Sequence, residues 1–153
     1  MLAVGVTAAL GSAGLLVMLV GGAVGALATG VAIVGGDQRT LRRANVYAWV
    51  ILGGAVLATV MMQIALFRRD YSIAYIQEVG SSATPLLYNI AAMWSALEGS
   101  ILLWLLVLAG FTAAVSARFR RRSADPLVGW AMVVLYTVVT FFALLGFGPA
   151  SPF

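Results

Sequence analysis

The chain has 153 residues, of which 63% are hydrophobic and only 9% charged, against about 25% charged in a soluble domain; with a mean hydropathy of +1.05, it reads as a membrane protein. It contains no histidine and no cysteine, which excludes the commonest metal ligand, the commonest acid–base group near neutral pH, disulfides and thiol chemistry within it. All nine basic residues are arginines and the net charge is +4; they sit in short clusters bordering apolar runs, a pattern of membrane topology and not of nucleic-acid binding.

From Val4 to Val34 no residue is charged, and nine of the seventeen glycines fall in the first 36 positions. This is the first expected span, over about 10–34, with the first few positions outside the hydrocarbon. Gly22, Ala26 and Gly30, at four-residue steps, would let another helix approach closely. A cleaved signal peptide is the competing reading, opposed by the missing basic n-region and the length of the run. The segment Gly35 to Asn45 then reads as a polar break carrying Arg39, Arg42 and Arg43, and a second span follows at 46–67 with Tyr47 and Trp49 at its start. Phe67 to Tyr88 mixes charge, polarity and aromatics and reads as a loop outside the membrane. Tyr71, Ile73 and Tyr75 alternate as in a short strand, and Gly80, Ser81, Ser82 and Pro85 favour irregular chain before the next helix. A third span at 92–117 ends against the basic turn holding Arg118, Arg120, Arg121 and Arg122. The fourth, 126–147, opens on Pro126, a residue suited to a first helical turn. The expected fold is an all-α, polytopic transmembrane bundle of four spans forming a single integral membrane region, 1–153.

Seven of the nine arginines lie between spans one and two or three and four. Because basic loops stay cytoplasmic, both termini and the 68–91 loop are expected to face outward. Counting back about 20 residues at 1.5 Å each from Arg118 puts the outer boundary of the third span near Glu98. A carboxylate there costs less than the roughly 2.5 to 3.5 kcal/mol of a midplane one. On a single helix Ala91, Glu98, Leu105 and Thr112 share a side, with Trp94, Ala109 and Ser116 beside them; this small, polar side is expected to face protein. Glu98 then has two readings: it marks the helix start, bonded to its own first turn or to an arginine such as Arg68, or it serves a function. Trp49, Trp104 and Trp130 read as membrane anchors or packing residues before haem stackers. The four arginines of the second basic turn read as topology determinants before lipid-headgroup sites. Gln63, Thr137 and Thr140 are expected to bond to adjacent helices.

The stretch PLLYNIAAMWSALEGSILLW, Pro85 to Trp104, resembles the segment that in the cytochrome c maturation protein F family, also called CcmF or haem lyase, reads roughly L-P-x-x-Y-(K/R)-x-x-A-x-W-G-x-H-E-G-S-x-L-L-W. The matching residues are Pro85, Tyr88, Ala92, Trp94, Glu98, Gly99, Ser100, Leu102, Leu103 and Trp104. Gly36–Asp37 ahead of a basic segment, the YSIAYI at the loop start and the terminal SPF resemble further family features, so the likeness runs along essentially the whole chain. Leu97 stands where the family has a histidine, and Ser95 where it usually has glycine. Family members are several times longer, and their tryptophan-rich haem-handling segment and haem-ligating histidines lie downstream of the part matched here. The resemblance thus implies the first four spans of such a protein, either a fragment or one polypeptide of a split function.

What the resemblance implies is a scaffold part of a cytochrome c biogenesis haem lyase in the bacterial inner membrane. The full assembly joins haem to a C-x-x-C-H apocytochrome c on the outer face. Its partners would be the rest of the haem lyase, a haem-delivery protein, apocytochrome c and the lipid bilayer, with no nucleic acid. Haem belongs to the full assembly and none is expected to be ligated by this chain alone; no metal site or self-contained catalytic site is expected either. Trp94, Glu98, Gly99 and Ser100 would form the mouth of the haem site or a partner contact, with Pro85, Tyr88 and Trp104 at the interface and in packing. The alternative is a small four-helix proton-coupled transporter using Glu98.

Overall fold

The computed structural model describes residues 2–68, 97–148 and 151–153. Within them the chain forms four long helices: α1 Leu2–Val34, α2 Gln38–Arg68, α3 Leu97–Arg118 and α4 Pro126–Phe147, with a 3-10 turn at Arg120–Arg122. All four are long and apolar enough to cross a membrane, and no strand occurs among the described residues. They close into a ring: α1 packs on α2 and α4, and α3 packs on both α2 and α4. The core runs down the middle through Leu15, Met18, Ile51, Met62, Leu102, Leu105, Tyr136 and Val139. Leu27, Val31, Val34, Trp104, Phe111 and Val134 face away from it, as expected where the outer solvent is lipid.

The helices outrun the expected spans. The break between the first two shrinks to Gly35, Gly36 and Asp37, and Arg39, Arg42 and Arg43 lie on the first turns of α2, not in a loop. The cause is local. Gly36 adopts φ +68°, its N–H reaches Ile33 O at 3.2 Å, and the Asp37 N–H reaches Ala32 O at 2.9 Å, the paired bonds of a Schellman stop. The next helix starts at once, because Asp37 Oδ1 accepts from the backbone N–H groups of Arg39 (3.0 Å) and Thr40 (3.3 Å) and so caps it. At the second basic turn Asp125 Oδ1 accepts from Leu127 N at 3.0 Å, and Pro126 follows as the first residue of α4. The expected 68–91 loop, the possible strand at Tyr71, Ile73 and Tyr75, and positions 92–96 of the third span lie outside the described residues.

Glycine decides how closely the helices meet. A Cβ on Gly14 would lie 2.7 Å from Gly54 O, and one on Gly54 would lie 2.7 Å from Gly14 O, so α1 and α2 touch backbone to backbone. On the α4 side, a Cβ on Gly25 would meet the Tyr136 ring at 3.1 Å and one on Gly22 would overlap Thr140 Oγ1. The stripe of Gly22, Ala26 and Gly30 is therefore corrected. Gly22 does admit α4, but the neighbour of Gly22 in this role is Gly25, and Gly30 has nothing within 4 Å.

A second correction concerns the hydroxyls. Thr137 and Thr140 donate to Val133 O and Tyr136 O of their own helix, as Thr29, Thr59 and Thr112 do to Gly25 O, Ala55 O and Leu108 O. In a medium without water the carbonyl four residues back lies within reach of each of these threonines, and it satisfies the group without a partner helix. A side-chain bond that does join helices comes from Tyr136, wholly buried, whose hydroxyl donates to Ala44 O of α2 at 2.8 Å. Such interhelical bonds contribute about 0.6 kcal/mol on average.

Candidate functional site

Glu98, Gly99 and Ser100 fall in the first turn of α3, at the end of the bundle opposite the arginine turns. Position 98 is in register with Leu105 and Thr112. Downstream the face expected to meet protein does so: Leu105, Ala109, Thr112 and Ser116 are all buried. Gly99 is buried, Ser100 is half-buried, and the Ser100 hydroxyl donates to Leu97 O at 2.7 Å, closing the first turn on itself. Leu97, where the resembled family carries histidine, is 66% exposed, and Trp104 is 58% exposed on the outward face. One turn further in, Ile101 and Leu105 approach Gly146 near the end of α4, beside Leu15 of α1. Three helices therefore converge directly beneath the motif. The terminal SPF lies at this end too: Pro152 is buried and the Phe153 ring rests where a Cβ on Gly11 would be. Pro85, Tyr88 and Trp94 lie outside the described residues.

At the other end Arg39, Arg42, Arg43, Arg118, Arg120, Arg121 and Arg122 are all exposed. Asp37 and Asp125 are the carboxylates present there among the described residues, and both are engaged in capping. Asp37 is held below its ordinary pKa, first by the Thr40 hydroxyl and then by the Thr40 backbone N–H, with smaller help from Arg39 N and the charge of Arg43.

Among the described residues the thioethers of Met18, Met62 and Met132 are packed in the core, that of Met61 is half-buried, and the hollow lined by Met132 measures about 10 Å³. Met93 lies outside the described residues. Among the described residues no group of three or more acidic side chains gathers to bind a metal.

Sequence reasoning overlooked two features. Tyr136 sits in an apolar run where an aromatic reads as one more core or lipid-facing residue; its position in mid-span, far from either interface, was the available signal. Asn45 was assigned to a polar break, yet it lies on α2 and lines a crevice with Trp49, Ser116, Ala117 and Arg120.

Four apolar spans closed into a ring, with a polar motif at one end and seven arginines at the other, define an integral, polytopic helical membrane protein. No family model matches the chain. Among curated proteins it is similar to the cytochrome c-type biogenesis protein CcmF of Pseudomonas aeruginosa, at 34% identity over 118 residues. It is also similar to CcmF of Escherichia coli, at 30% over 118 residues; each match covers 77% of this chain and 18% of the relative. CycK of Rhizobium meliloti, another cytochrome c-type biogenesis protein, is 34% identical over 61% of this chain and 14% of its own length. A solved structure described as cytochrome c heme lyase CcmF superposes with a TM-score of 0.88 at 32% identity, over 96% of this chain and 24% of that one. The chain thus spans about a fifth of the length of these curated relatives. Over that part, it belongs to the cytochrome c maturation protein F family. The transporter alternative finds no support among these relatives.

Proposed function

We propose that the chain is a membrane scaffold of a cytochrome c haem lyase, presenting the Trp94 to Ser100 motif at the outer mouth of the site where haem is joined to a C-x-x-C-H apocytochrome c. The observation that carries this reading is the superposition on the CcmF haem lyase along 96% of the chain. On this reading the chain lies in the bacterial inner membrane, with the arginine turns cytoplasmic, as the bias of basic segments favours, and both termini outward. Iron ligation and the covalent step fall to the remainder of the assembly, since this chain has neither histidine nor cysteine. The chain supplies the packed helices beneath the motif and the charge of Glu98. That charge acts on an arginine of the partner polypeptide, or positions the apocytochrome or a haem propionate through a bridging cation. A bare carboxylate and propionate would repel.

Glu98→Gln keeps length and polarity and removes only the charge. In cells that depend on this chain, with membrane abundance unchanged, it is expected to lower covalent cytochrome c haem, read by haem staining, whereas Trp104→Phe is not. Full staining in the Gln variant would return Glu98 to marking the start of a helix.

A further inference from the structure

The crevice between α2 and the end of α3 gathers polar groups that are open to it. Ser116 is 3% exposed and lines it, and its hydroxyl has no hydrogen-bond partner among the described residues, unlike Thr112 one turn earlier. Asn45, half-buried on the facing helix, likewise keeps its amide free of protein partners there. Arg120 closes one side and the half-exposed Trp49 the other, around a hollow of about 360 Å³. The surroundings are strongly positive, because Asp37 and Asp125 are committed to capping and no ion pair joins the seven arginines to a carboxylate among the described residues. A hydroxyl, an amide and a guanidinium converging on one hollow match the oxygens of a phosphate, and an indole beside them suits the headgroup layer.

We propose that this crevice binds the headgroup phosphate of an anionic phospholipid. Its acyl chains would lie along the apolar flank of α2 below Trp49. The occupant is a lipid and not a soluble anion because the hollow sits where two membrane spans reach the surface, and Trp49 and Val50 continue it into the lipid-facing side.

The test uses the whole chain, purified in detergent, delipidated and titrated with phosphatidylglycerol or phosphatidylcholine, bound lipid being counted by native mass spectrometry. One phosphatidylglycerol should be retained in preference to phosphatidylcholine. Arg120→Gln should weaken that retention about fivefold, the effect of one surface arginine on an anionic lipid. Asn45→Ala should also weaken it, and provides the same reading should the arginine variant misfold. Arg39→Gln removes an equal charge from the same end outside the crevice and should leave retention unchanged. Equal retention of the two lipids would overturn the proposal. So would an equal loss in Arg39→Gln, which would mean a diffuse potential, or displacement by millimolar inorganic phosphate, which would mean a soluble anion.

Discussion

Gly14 and Gly54 show how much of this bundle rests on missing side chains. With each prospective Cβ 2.7 Å from the other glycine's carbonyl oxygen, neither position accepts even alanine unless two backbones separate. Gly14→Ala is therefore expected to destabilise the bundle by about 1–3 kcal/mol, the usual cost of overpacking. Gly30→Ala meets nothing within 4 Å and should be neutral or stabilising by up to about 1 kcal/mol through helix propensity. Thermal unfolding in detergent, followed by circular dichroism, separates the two; equal effects would deny the backbone contact. The glycine richness of the first helix was plain in the sequence and implied close packing. Which glycines are used was not, because four-residue steps define a face without saying where it points. Gly30 shares the row of Gly22 yet borders an open hollow beside Trp130, although α4 meets α1 again further on, at Gly129 and Ile33, while Gly25, one step off the row, meets the Tyr136 ring.

At the scale of elements, Asp37 both ends α1 and begins α2. Its depressed pKa means that its contribution to stability is fully present above the ordinary aspartate value and is lost as pH falls through the lower, folded one. Wild-type chain should accordingly unfold at a higher temperature than Asp37→Asn at neutral pH, with the gap closing as the solution is acidified below that value. A gap independent of pH would show that the carboxylate charge is not what caps the helix. The sequence made the start of α4 legible, since Asp125 followed by Pro126 is a cap and a first-turn residue in adjacent positions. It concealed the start of α2, because Gln38, Arg39, Arg42 and Arg43 suggest a loop by polarity although glutamine and arginine are good helix formers. The inward face of α3 was readable from Leu105, Ala109, Thr112 and Ser116, whose period survives any error in the helix ends.

For the molecule as a whole, the two arginine turns share one end, and positive-inside bias predicts which side of the membrane that end takes. In intact cells a cysteine replacing Ser81 should react with a membrane-impermeant reagent, and one replacing Arg121 only after permeabilisation; the reverse would overturn the orientation. Arg121 is preferred to the neighbouring Ser123, which at 8% exposure would stay unlabelled on either side. Span number and bundle class followed from hydropathy, since lipid admits few other ways to satisfy a backbone. The candidate site was legible only as a motif. Ten residues from Pro85 to Trp104 carry the family likeness, but no periodicity assigns chemistry to Glu98. Nor could the crevice at Asn45 and Ser116 be read, since it joins residues from distant parts of the chain through a helix start that polarity hid.

The three-residue turn at Gly35, Gly36 and Asp37 also orders events during synthesis. Closing so short a connection costs little chain entropy, so the first two helices can pair as soon as both have entered the membrane, glycine against glycine, before the third exists. The face of α1 bearing Gly22 and Gly25 has to wait until α4, a hundred residues later along the chain, has emerged. Docking of Tyr136 and Thr140 into that face is then the ring-closing step, and a lesion there would leave a paired hairpin beside two unassembled spans.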